Sequence, residues 1–81
     1  MRIQKGMKQF TLHGLGRVKA DAISSAVIYL KERKHVIPGD WCGYWDGMQW
    51  SSRKVFMHPE DLKENIDALE HHFNVKVVEF E

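Results

Sequence analysis

Cys42 is the only cysteine in this 81-residue chain. No internal disulfide can form, and a domain this small without covalent staples suits a reducing compartment, so the cytoplasm is the expected location. Long apolar runs are lacking as well. Nothing approaches the ~18 residues of a membrane span, and Met1-Arg2-Ile3-Gln4-Lys5-Gly6 is not followed by a stretch of signal-peptide length, so no membrane association is expected. An excess of one charge is missing too, since the formal net charge is +1. Holding phosphate backbone normally takes a strongly basic surface, which makes nucleic acid the less favoured partner. No repeat, low-complexity stretch or linker interrupts the chain, and residues 1–81 read as a single domain.

What is present is ordinary globular material, with 43% hydrophobic and 28% charged residues. A chain of this length buries roughly 60% of its unfolded surface, so most large apolar residues are needed for the core. Charge is unevenly placed. Residues 1–58 hold ten Lys/Arg against four Asp/Glu, and residues 59–81 hold two against seven.

The periodicity changes several times. Phe10 and Leu12 alternate with Gln9, Thr11 and His13, as a half-buried strand over Lys8 to His13 requires. From about Lys19 to Lys34, Ile23, Ala26, Val27 and Leu30 fall on one helical stripe, which leaves Ile28 on the polar side. Pro38-Gly39 marks a break. Asp46-Gly47 suits the two central residues of a type I′ hairpin turn. That turn pairs Trp45 with Met48, Gly43 with Trp50 and Trp41 with Ser52. Trp41, Trp45, Met48 and Trp50 then share one face, with Cys42, Tyr44, Gln49, Ser51 and Arg53 on the other.

Pro59 at the first position of a helix, followed by Glu60 and Asp61 in its first turn, opens a second helical stripe of Leu62, Ile66, Leu69 and Phe73. The helix should end near Asn74, before a β-branched strand over Val75 to Phe80. The expected fold class is α+β, a ferredoxin-like β-α-β-β-α-β sandwich with an antiparallel sheet and two helices on one face.

No motif for chemistry emerges. The tryptophans are assigned to the face that the helices cover, because the first strand is apolar on one side only. His71-His72 point about 100° apart, no His-x-x-x-His occurs, and one cysteine cannot supply a paired motif, so neither a metal nor a cofactor is expected. Cys42 has no adjacent cation or helix N-terminus in sequence to activate it. Gly16-Arg17-Val18 resembles the phosphate-cradle loop of acylphosphatases over those three residues. The following helix lacks that family's arginine and the second strand lacks its asparagine, so no activity carries over. The generic anion affinity of a helix N-terminus remains.

The surfaces left for function are an acidic ridge of Glu60, Glu64 and Asp67, a polar sheet face around Tyr44 and Arg53, and the stray Ile28. They suit a non-catalytic regulator or inhibitor of the sort small bacterial or phage genes encode, which occludes a surface of a protein partner. The alternatives are a nucleic-acid-binding module using the open sheet face with Lys8, Arg17, Lys19, Arg53 and Lys54, and a minor enzyme using a histidine or Cys42 in a tertiary cleft. A homodimer through a sheet edge or the open face is compatible with all three.

Overall fold

The protein is described here over residues 3–79 of a computed structural model. Six elements follow one another: β1 (Lys8–Gly14), α1 (Lys19–Arg33), β2 (Ile37–Asp46), β3 (Gln49–Met57), α2 (Pro59–His72) and β4 (Val75–Glu79). The strands form one antiparallel sheet in the order β2-β3-β1-β4, which makes this a small α+β fold with β1 and β3 in the interior of the sheet.

One apolar cluster joins the sheet to both helices. Phe10 and Leu12 of β1, Val55 and Met57 of β3, and Val75 of β4 meet Ile23, Ala26, Val27 and Leu30 of α1 and Leu62 and Leu69 of α2. The α1 stripe is thus the one the spacing required, and Ile28 is left 58% exposed. A fully buried leucine or isoleucine contributes about 1.5–3 kcal/mol, so this cluster supplies most of the drive to fold.

Local chemistry fixes the element ends. Pro59 occupies the first turn of α2 with Glu60 and Asp61 beside it. Asn74 takes the left-handed conformation (φ 57°) after α2, and its carbonyl accepts the Leu15 N–H at 3.0 Å, which ties the two loops at that end together. Gly14 lies where β1 meets the start of α1. A Cβ there would sit 2.5, 2.8 and 2.9 Å from backbone atoms of Lys19, a contact no side chain tolerates. Lys34 reaches from the end of α1 toward the start of α2, while Tyr29 packs on Phe73 just after α2 (centroids 5.1 Å apart), so the helices run antiparallel.

Pro38-Gly39 lies inside β2 rather than ending an element. β2 is an edge strand, where the missing proline N–H needs no partner. The ladder slips by one residue there, between Pro38 and Trp41, and again between Cys42 and Trp45. At the second bulge Gly43 has φ +87°, and the Tyr44 N–H donates to Ser51 Oγ at 3.0 Å. A Cβ at position 43 would overlap Ser51 Oγ and lie 2.9 Å from Ser52 Oγ.

These bulges correct the expected hairpin. Trp41 pairs with Arg53, Cys42 with Ser52, Trp45 with Trp50, and Asp46 with Gln49. The turn residues are Gly47 and Met48, and only Gly47 has positive φ (+66°), which is the sign pattern of a type II′ turn. Contacts with α1 account for the displacement. Asp46 Oδ2 lies 3.2 Å from Lys19 Nζ, Gln49 Oε1 accepts the Ala20 N–H at 2.8 Å, and Gln49 Nε2 donates to the Arg17 carbonyl at 2.6 Å. Both residues of the closing pair are therefore held against the helix.

Candidate functional site

The register assigns a face to each side chain of the central strands. Leu12 is fully buried in the core cluster and pairs with Arg53, so the odd-numbered residues of β3 face the helices. Trp50, Ser52, Lys54 and Phe56 face away from them. They are joined on the open side by Gln9, Thr11 and His13 of β1 and by Lys76 and Val78 of β4. The Cys42 and Trp45 pairings place those residues on the same side.

Trp45 and Trp50 thus do not enter the core. They are 54% and 37% exposed and pack edge-to-face with centroids 5.4 Å apart. Trp41 alone of the three tryptophans packs against the apolar cluster. The second bulge is the cause, because one extra residue between Cys42 and Trp45 turns Trp45 to the face of Cys42.

Next to the tryptophan pair runs a row of cross-strand neighbours: Cys42 on β2, Ser52 on β3, His13 on β1 and Lys76 on β4. His13 Nδ1 and Ser52 Oγ are 2.7 Å apart. A depression of about 640 Å³ opens over this row, lined by Thr11, His13, Cys42, Tyr44, Ser52 and Lys54 among others. Thr11 is buried (7% exposed), yet its Oγ1 has no hydrogen-bond partner among the described residues.

On β1, β3 and β4 the register gives the open face no carboxylate, whereas it carries Lys54, Lys76 and His13. On β2, Asp40 lies in the first bulge, beside the stretch that faces Lys54. The chemistry on offer is stacking on indole, hydrogen bonding by hydroxyl and imidazole, and attraction of anions. A serine–histidine pair is also the beginning of a nucleophile and its base, but the hydrogen bonds of His13 include no carboxylate to orient the ring. Among the described residues, no three His, Cys, Asp or Glu are grouped to hold a metal ion.

No protein-family model, curated protein or solved structure matches this chain. The reading of the site therefore rests on its own geometry.

The residues singled out from the sequence do not gather at one place. Arg53 lies on the helix side, where its Nε donates to the Gly39 carbonyl at 3.2 Å and its guanidinium sits 4.9 Å from the Trp41 ring centroid. Tyr44 is exposed at the bulge, with Lys19 Nζ 5.9 Å from its ring centroid. Glu60 and Asp67 are exposed on α2, and Ile28 is exposed on α1. Glu64 accepts from Lys34 Nζ at 2.7 Å, with Asp61 at 3.7 Å from the same ammonium. This hydrogen bond to Glu64, helped by the charges of Glu64 and Asp61, raises the Lys34 pKa above its ordinary 10.5. The middle of the acidic ridge is thus partly neutralised from within.

The α1 N-terminus, considered for anions, is engaged by Gln49 instead. His13 and Cys42, which are far apart in sequence, do share the depression. Trp45, Trp50, Ser52, Thr11 and Lys76 were not identified as site residues from the sequence. A signal for β3 existed: Val55 and Met57 are the apolar odd positions of that strand, which leaves Trp50, Ser52 and Lys54 on the other side. Phe56 masked it by making residues 55–57 apolar without interruption.

Proposed function

We propose that this protein binds single-stranded nucleic acid through the open face of a ferredoxin-like sheet. The observation that carries the reading is the exposed Trp45–Trp50 pair beside Lys54, Lys76 and His13, on a face whose central strands bear no carboxylate. Stacked bases add about 1–3 kcal/mol each on aromatic platforms, and lysines supply phosphate contacts. Protein interfaces favour tryptophan too, but they are depleted in lysine. The strand order, with β1 and β3 central, and the cluster shared by both helices support the ferredoxin-like assignment.

The low net charge sets the character of such binding. With two lysines on the face, the logarithm of affinity should fall with the logarithm of salt at a slope of only about −1.4, at ~0.7 per phosphate on a single strand. Stacking carries the rest. Tryptophan fluorescence titrated with single-stranded DNA and RNA oligonucleotides at low salt is the test. Trp50→Ala should weaken binding by roughly 5- to 150-fold, which corresponds to the loss of one stacking contact. Failure of every single strand to bind the wild-type chain sinks the proposal.

A regulator or inhibitor that occludes a protein partner is the second reading, and a specific surface favours it. At the hairpin tip Met48 is 91% exposed, and Leu15 and Val18 are exposed in the loop that Gln49 and Lys19 tie to that tip. Exposed apolar residues grouped in this way mark contact surfaces. Affinity capture with wild type and Met48→Asp separates the readings. Retention of one protein by the wild type and its loss by the variant supports the second, and an unchanged oligonucleotide affinity in the variant keeps the first.

A further inference from the structure

We infer that the depression beside Trp50 seats one nucleobase of the bound strand and reads its edge through the Thr11 hydroxyl and His13 Nε2. The inference rests on the nucleic-acid reading above and deepens it from stacking to recognition.

Three observations lead to it. First, Thr11 is more than nine-tenths buried and lines the depression, but its hydroxyl has no partner among the described residues. A buried hydroxyl without a partner is costly, so its retention at the mouth of a cavity points to a partner that arrives with a ligand. Second, Ser52 Oγ holds His13 Nδ1 at 2.7 Å, which fixes the imidazole and leaves Nε2 as the nitrogen for a ligand. Third, Trp50 precedes Ser52 by two residues on the same face of β3, so a base stacked on the indole has its neighbour over the Ser52–His13 pair.

A nucleobase fits this set of groups. It is a planar ring whose edge carries donors and acceptors, and both a threonine hydroxyl and an imidazole can serve either role. Lys54 borders the same depression, where the linking phosphate of such a strand would lie. The Trp45–Trp50 pair by itself is tolerant of sequence, since every base has a stackable face. Discrimination between bases must then come from the polar groups in the depression.

The experiment is a fluorescence titration of wild type, Thr11→Val, Thr11→Ser and Trp50→Ala with homopolymeric single strands of each base. The wild type should prefer one homopolymer over the weakest by about tenfold, as one hydrogen bond to a buried partner provides. Thr11→Val, which keeps the shape and removes the hydroxyl, should bring the preference to within about threefold without altering the weakest affinity. Thr11→Ser should retain the preference, which excludes misfolding as the cause. If Thr11→Val binds every homopolymer as the wild type does while Trp50→Ala loses affinity, base reading is overturned and the stacking function stands. Binding of no homopolymer by the wild type overturns both.

Discussion

Leu12 and Thr11 are neighbours in sequence on a central strand, both are buried, and they point to opposite faces of the sheet. On the helix side Leu12, Val55, Met57 and Val75 have no accessible surface, and the contacts around them are apolar. On the open side the interior is polar. Thr11 and Ser52 are buried between Lys54, His13 and Lys76, the exposed Trp45–Trp50 pair lies toward the hairpin end, and Ile37, Phe56 and Val78 add apolar surface elsewhere on that face. Burial on the helix side therefore drives folding, whereas at the centre of the open side Thr11 and Ser52 are covered by long neighbours on the central strands and β4. A face that buries hydroxyls at its centre and leaves two indoles exposed gains less from folding than the helix side and is suited to contact.

Substitutions can sharpen or break this contrast. The largest effect should come from Leu12→Ala, which removes a fully buried side chain from the cluster and should destabilise by about 2–5 kcal/mol in denaturant unfolding. A loss below about 1 kcal/mol would mean that the helix-side face is not the principal core. Gly43→Ala should follow at about 1–3 kcal/mol, because it combines positive φ with overlap of Ser51 Oγ. This variant also tests what orients the tryptophans: near-UV circular dichroism from the Trp45–Trp50 pair should change, and an unaltered spectrum would show that the bulge is not needed.

Gln49→Ala should rank next, at about 1 kcal/mol in thermal unfolding. Val18 at the start of α1 makes no side-chain cap, and Gln49 performs that task from β3. Oligonucleotide affinity should fall with it only if docking of the hairpin tip on α1 keeps the two indoles in place. The smallest effect belongs to the helix layer. Because the Lys34 pKa is raised, its contribution to stability is complete below the ordinary value of 10.5 and is lost as pH rises through the raised one. Melting temperatures followed from neutral to strongly alkaline pH should thus drop more steeply above 10.5 for wild type than for Lys34→Met, and parallel curves would show that the Glu64 contact does not contribute.

Much of the framework was legible because each helix carries its own instructions. Ile23, Ala26, Val27 and Leu30 form the buried stripe of α1, and Leu62 and Leu69 are buried where the 3.6-residue period places them. Asn65 was not foreseen as buried. It lies on the inner side of α2 and donates Nδ2 to the Asp61 carbonyl at 2.8 Å, a local bond that makes a polar residue acceptable there. The site was far less legible. The expected acidic ridge keeps Glu60 and Asp67 exposed but ties Glu64 to a lysine of the other helix, a contact between residues thirty positions apart.

By itself the sequence determined where the chain turns helical, where Pro59 starts α2, where Asn74 lets it end, and that a hairpin closes around Gly47. These are local matters, decided by dihedral preference and by periodicity within one element. Only the tertiary structure decided which side of the hairpin the helices cover. A period of two separates the faces of a strand without saying which is inside, and one bulged residue exchanges them. The side chains that settle the choice, Lys19 on Asp46 and Gln49 on Ala20, act across 27 and 29 residues, beyond the reach of any local pattern.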